Sequence, residues 1–210
     1  MNALKLRDEV FSELHLRCLK PAGYKKKGHW SIRDLGGLSH SFYLRASRFG
    51  RSDEAVFWID VQVFSQQWHK LLFAPMPFKG PAEGTPSLLT ESLGEMAEPS
   101  SRARITLTSD AEIEPLIKWL CAAATAKALP LLRSCENYEG LLSYWQCNPD
   151  ASDRHLVSAG LFRLLNQDDE ARKAIARAKD LSPHENNLKW LEIRERALWQ
   201  HAALQETPQK

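Results

Sequence analysis

Apolar residues recur every three or four positions through Leu6, Val10 and Leu14, with Phe11 and Cys18 beside them, while Asp8, Glu9, Glu13 and Arg17 point elsewhere. That spacing predicts an amphipathic helix over residues 3–20, stopped by Pro21 and Gly23. After Tyr24 comes a basic turn, Lys25-Lys26-Lys27, ending at Gly28. The period then drops to two. Strands are expected over His29–Arg33, closing at Gly36-Gly37, then from about Ser39 to Ser47 and from about Ala55 to Phe64. Gly50-Arg51-Ser52-Asp53 supplies a hairpin loop between the last two. In the third strand Phe57, Ile59, Val61 and Val63 share one face, and Trp58, Asp60 and Gln62 the other. In the second, Phe42, Leu44 and Ala46 oppose Tyr43, Arg45 and Ser47. Antiparallel pairing of these two strands would gather Tyr43, Arg45, Trp58, Asp60 and Gln62 on one surface.

Residues 74–102 interrupt the pattern with five prolines and three glycines. A connection this long is functional or disordered in most proteins, and Leu88 to Met96 has room for one or two helical turns within it. A weakly alternating strand, Ala103 to Thr108, precedes Ser109, which stands three residues before Glu112 as in a capping box. The helix opened there is expected to run to about Ala128 with Ile113, Leu116, Ile117, Leu120 and Ala124 toward the core. It tolerates Pro115 near its first turn and ends at Pro130. Short helices follow over Leu131–Ser134 and Tyr138–Gln146, and Asn148-Pro149-Asp150-Ala151-Ser152 is the best boundary. The pattern predicts an α+β fold with an N-terminal helix and an antiparallel sheet of about four strands packed by helices. A C-terminal helical hairpin and one more helix complete it, with domains at residues 1–147 and 148–210.

Four segments carry a likeness: Gly23-Tyr24-Lys25-Lys26-Lys27-Gly28, Arg45-Ala46-Ser47-Arg48-Phe49, Phe57-Trp58-Ile59-Asp60-Val61 and Ala128-Leu129-Pro130-Leu131-Leu132. In this order of elements they resemble a bacterial family known only as domain-of-unknown-function family 4304, over roughly residues 5–145. The resemblance implies a fold and no activity. Such proteins usually place an Asn where Asp60 stands and a Gln near Arg45.

Further on, Ala159, Phe162, Ala171, Ala178 and Pro183 are spaced 3, 9, 7 and 5 apart. This resembles the small, aromatic, small, small and proline positions of a tetratricopeptide repeat, with His155, Ser158 and Ile175 as departures. The physics agrees: small residues let two helices approach, Phe162 fills the gap, and Pro183 ends the second. One repeat cannot bury its own apolar face. A following helix, roughly Glu185 to Leu204, carries one stripe of Leu188, Leu191, Leu198 and Trp199 and a second of Trp190, Ile193 and Ala197, so it needs two partners. A partner site on it requires Trp190 to stay exposed within the chain.

Charge changes this picture little. Over the chain 28 Lys and Arg face 26 Asp and Glu, with residues 1–70 holding 12 against 7. That small excess is read first as a solvated surface, and second as a nucleic-acid footprint. For the second reading, Lys25, Lys26, Lys27, Arg33, Arg45, Arg48 and Arg51 interleave with Tyr24, Trp30, Tyr43 and Phe49, which suits phosphate contact and base stacking. The charged start lacks the apolar run of a secretory signal. The most apolar stretch, Leu116 to Leu132, is interrupted by Lys118, Lys127 and Pro130, so no membrane segment is expected. The four cysteines have no paired short spacing and read as reduced thiols of a cytoplasmic chain.

No nucleophile–base–orienter set, metal doublet or phosphate loop appears, so no catalytic residue, metal or cofactor is assigned. His69 beside Trp68 and His40 opening a strand are the candidate bases. Asp60 in mid-strand would be costly to bury unless paired, and Arg45 is its natural partner. The reading is a non-enzymatic protein-binding chain of bacterial cytoplasm, of adaptor or immunity type. Tyr43, Arg45, Trp58, Asp60 and Gln62 form its sheet patch, Lys25, Lys26 and Lys27 its basic turn, and Arg154, Arg163 and Trp190 its helical contacts. Nucleic-acid binding is the alternative, an enzyme of unrecognised type the third, and homodimerisation stays open.

Overall fold

A computed structural model describes residues 3–47, 54–99, 104–148, 154–182 and 184–200. In chain order these form α1 (Ala3–Leu14), β1 (Lys25–Lys27), β2 (Trp30–Asp34), β3 (Leu38–Ala46), β4 (Ala55–Ser65), α2 (Gln66–Phe73) and β5 (Leu89–Ser92). Then come α3 (Leu93–Ala97), β6 (Ile105–Leu107), α4 (Ile113–Ala123), α5 (Leu129–Ser134), α6 (Tyr138–Cys147), α7 (Arg154–Leu164), α8 (Asp168–Asp180) and α9 (Glu185–Gln200). The fold is α+β. It divides into two compact units: Met1–Phe64 with Leu89–Arg133, and Ser65–Leu88 with Ser134–Lys210. The Gly50–Asp53 loop, Arg48, Phe49, Pro183, the start of the expected strand at Ala103 and the expected linker from Pro149 on lie outside the described residues. So does everything beyond Gln200.

The first unit is built on a six-stranded sheet in the order β1-β2-β3-β4-β5, with β6 also pairing β4. The expected basic turn is therefore a strand. Lys25, Lys26 and Lys27 pair antiparallel with Ile32, Ser31 and Trp30 across the two-residue loop Gly28-His29. Gly28 takes φ +58°, a conformation a two-residue hairpin demands and glycine adopts freely. A second hairpin turns at Gly36, whose φ is +84°. Within Leu88–Met96, expected to hold one or two helical turns, Leu89–Ser92 is a strand paired with β4 in the register Asp60↔Ser92 and Gln62↔Thr90, and the helical turn is α3, which starts at Leu93.

Alternation decides the core. Phe42, Leu44, Phe57, Ile59, Val61 and Val63 are all essentially inaccessible to solvent. Each buried side chain of this size contributes roughly 1.5–3 kcal/mol. Ser31 pairs with Phe42 and so shares its face. His15 Nδ1 lies 2.8 Å from Ser31 Oγ, which places the end of the first helix on that side. Val10, Phe11 and Leu14 of α1 are buried, as the spacing requires. The helix continues past Leu14 through a π-turn at His15–Leu19, where the Lys20 N–H reaches His15 O.

Glu112 closes the capping arrangement ahead of α4: its carboxylate accepts from the Thr108 N–H at 2.8 Å and the Ser109 N–H at 3.4 Å. Pro130 does not end this helix, which continues to Ser134. A π-turn at Ala124–Ala128 is the reason: the Leu129 N–H bonds to Ala124 O, five residues back, immediately before the proline that has no N–H to give. Residues Asp110–Ser134 thus make one helical run that by length and composition alone could cross a membrane. Its Ile117, Leu120, Ala124, Ala128 and Leu132 are buried in the protein.

The second unit is helical. Ser65 caps α2 by accepting from the Trp68 N–H at 3.2 Å, and Asn137 caps α6 by accepting from the Gly140 N–H at 2.7 Å. Helices α7 and α8 pack together, with Ala159, Ala171, Ala174 and Ala178 buried between and beneath them. The turn joining them uses Asn166 at φ +57°, a left-handed conformation that Asn tolerates better than most residues. Packing is close where α2 meets α7: a Cβ added at Gly160 would stand 2.5 Å from Trp68 Nε1.

Candidate binding surface

The pairing of β3 beside β4 gives the outer face of the sheet its chemistry. Arg45 Nε donates to Asp60 Oδ2 at 2.8 Å and Arg45 Nη2 to Asp60 Oδ1 at 3.2 Å, a two-pronged contact. The Arg45 guanidinium also lies 4.8 Å over the Trp58 ring. Asp60 keeps 9% of its side chain exposed and Arg45 46%, so a buried carboxylate anchors a half-open cation. Such a pair fixes orientation more than it adds net stability. Beside it Trp30 and Tyr43, directly paired across β2 and β3, stack with ring centroids 4.1 Å apart and planes 12° from parallel. Gln62 Nε2 donates to Thr90 Oγ1 at 3.3 Å, while Gln62 Oε1 is buried without a hydrogen-bond partner among the described residues.

All five residues expected on the sheet patch therefore share one face. Trp30 belongs with them and was not among them. Its signal was available, since a tryptophan opening a strand after a two-residue loop must sit opposite some residue of the next strand.

The three lysines divide. Lys25 and Lys27 stand opposite Ile32 and Trp30 and so share the outer face. Lys26 turns the other way: its Nζ donates to Ser12 Oγ at 2.8 Å and lies 5.9 Å from the Phe11 ring centroid.

Each of the helical residues has its own partners. Arg154 Nη2 donates to Gln146 O at 3.2 Å. Arg163 pairs with Asp168 and lies 5.1 Å from the Trp199 ring. Trp190 is 39% exposed, with the Arg194 guanidinium 5.1 Å from its ring. It forms one wall of a cavity of about 470 Å³ whose other walls include Leu156, Ala178, Ser182, Asn187 and Leu191.

His40 and His69 are both buried. Both ring nitrogens of His69 lack hydrogen-bond partners among the described residues, and burial, helped by the Arg194 charge, holds its pKa below the ordinary value. No cluster of three or more His, Cys, Asp or Glu among the described residues could hold a metal ion. The fold does join two cysteines that sequence spacing kept apart: the Cys121 thiol is pushed up to about 12, by burial first and then by a hydrogen bond with Cys18.

A family model described as a domain of unknown function (DUF4304) matches the chain over residues 16–134. No curated protein and no solved structure matches the chain.

Proposed function

We propose that this chain, which belongs to the DUF4304 family, is a non-enzymatic protein-binding protein of adaptor or immunity type, acting in the bacterial cytoplasm through the outer face of its sheet. The observation that carries the reading is the Arg45–Asp60 pair set against Trp58. Arginine and tryptophan dominate binding hot spots, and a cation already locked in place loses little entropy when a partner arrives. The Trp30–Tyr43 stack adds rigid, half-exposed aromatic area next to it. A tetratricopeptide-like character of the α7–α8 hairpin would add a second helix-binding element; buried Ala159, Ala171 and Ala178 support it.

Nucleic-acid binding stands second, because β1 exposes three lysines. Two of the cations it would use are committed elsewhere, Arg45 to Asp60 and Lys26 to Ser12. The deciding experiment is a tagged capture from source cells after nuclease treatment, comparing wild type with Arg45→Ala/Trp58→Ala. A protein retained by wild type and lost in the variant is the expected result. Capture of nuclease-sensitive material alone overturns the reading in favour of nucleic acid.

A further inference from the structure

The sheet ends at β1, whose three residues are all lysine and all exposed, and which pairs on one side only among the described residues. In an antiparallel ladder alternate residues turn their N–H and C=O away from the partner strand, so a sheet edge offers backbone groups to a further strand. Edge lysines ordinarily protect against such pairing, because an apolar or basic strand arriving there meets repulsion or desolvated charge. Three in a row repel a second copy of the same edge most of all. They do not repel a strand of opposite charge.

The placement of their side chains makes the selection sharper. Lys25 and Lys27 project on the same face as Trp30 and Ile32, while Lys26 is held by Ser12 on the opposite face. A strand laid along β1 would find two cations on its outer side, next to the half-buried Trp30 ring stacked on Tyr43.

We infer that β1 is a docking edge for an extended acidic segment of a partner protein. The segment joins the sheet as an additional strand, its outward carboxylates meeting Lys25 and Lys27. Main-chain pairing supplies the attachment and alternate side chains the selectivity, as in other strand-addition interfaces. The inference rests on the protein-binding reading and names the chemistry of the partner.

The test uses the full chain and a fluorescein-labelled ten-residue peptide of alternating Glu and Val, titrated to about 1 mM by anisotropy. The controls are its Lys-Val counterpart, a copy N-methylated at alternate amides, and a ten-nucleotide oligouridylate. The acidic peptide is expected to bind and to shift the amide resonances of Lys25–Lys27, and the Lys-Val peptide to show no binding. N-methylation and Lys25→Glu/Lys27→Glu should each weaken binding about tenfold or more, and Lys26→Ala by less. If the double glutamate variant misfolds by circular dichroism, Lys25→Ala/Lys27→Ala takes its place. Equal binding by the alanine variant, by the N-methylated peptide, or by oligouridylate in place of the peptide overturns the edge. No peptide binding, with capture still lost in Arg45→Ala/Trp58→Ala, overturns the edge and leaves the sheet-face reading standing. Peptide binding with capture unaffected in that variant does the reverse.

Discussion

The core of the sheet unit is filled by large side chains: Phe42, Leu44, Phe57, Ile59, Val61 and Val63 are each essentially inaccessible to solvent. In the helical unit the contacts of α7 depend on small ones: Gly160 lies against Trp68, and Ala159, Ala171 and Ala178 let α7 and α8 approach. A sheet presents a flat apolar face that only bulky residues fill, whereas two helices meet along a line whose separation small residues reduce. The units should therefore fail in opposite ways, the first when atoms are removed and the second when atoms are added.

The largest effect is expected from Phe57→Ala, which should lower unfolding free energy by about 3–5 kcal/mol in denaturant titrations, because the strand cannot collapse onto the space left. Gly160→Ala, a change of one methyl group, should lower it by about 1–3 kcal/mol, since the added carbon meets the Trp68 ring rather than open space. Similar small losses for both would break the comparison.

The polar layer of the sheet unit gives a third check. Asp60→Ala should destabilise by roughly 1–3 kcal/mol, as it strips Arg45 of a two-pronged acceptor. The matched pair Arg45→Gln/Asp60→Asn should be less damaging than Asp60→Ala alone. A double-mutant cycle that finds no coupling between positions 45 and 60 would refute the geometry argued for them.

Acid offers a fourth. His69 is buried and neutral, so the unfolded chain takes up a proton at that site before the folded one does. Stability should be level above the ordinary histidine value and decline as pH falls through it. His69→Phe should make that decline shallower without removing it, because burial also lowers the pKa of His15 and His155. The smallest effect is chemical: iodoacetamide at mildly alkaline pH should label exposed Cys147 well before Cys121 or Cys135, whose thiols burial pushes up.

Much of the sheet was legible because period-two patterning marks a strand with one apolar face. Phe57 through Val63 declared β4, and the facing positions 45 and 60 followed from pairing it with β3. Strand β1 was not legible, since three identical charged residues have no period at all; only Gly28, two residues before Trp30, marked the hairpin. The short strand β5 was hidden because Leu88 and Leu89 are both buried and adjacent, which suits a helix turn as well as a strand end. Cys18 and Cys121 meet through the packing of α1 on α4, a contact that local sequence cannot express. Pro130 misled for a physical reason: its missing N–H breaks an α-helix only where the preceding turn is α.

That π-turn settles an older mismatch between counting and rotation. Leu120, Ala124, Ala128 and Leu132 are all buried and all four residues apart. In an ordinary α-helix each step of four overshoots a full revolution by about 40°, so three steps would carry the stripe roughly 120° round the axis and into solvent. The widened turn is the leap day of this helix, an extra residue admitted so that the calendar of buried positions stays in season. Deleting one alanine from it would leave a step of eleven residues from Leu120 to Leu132, about 20° past three full revolutions of a regular α-helix, so Leu132 would stay inward and the calendar would lose only its extra day.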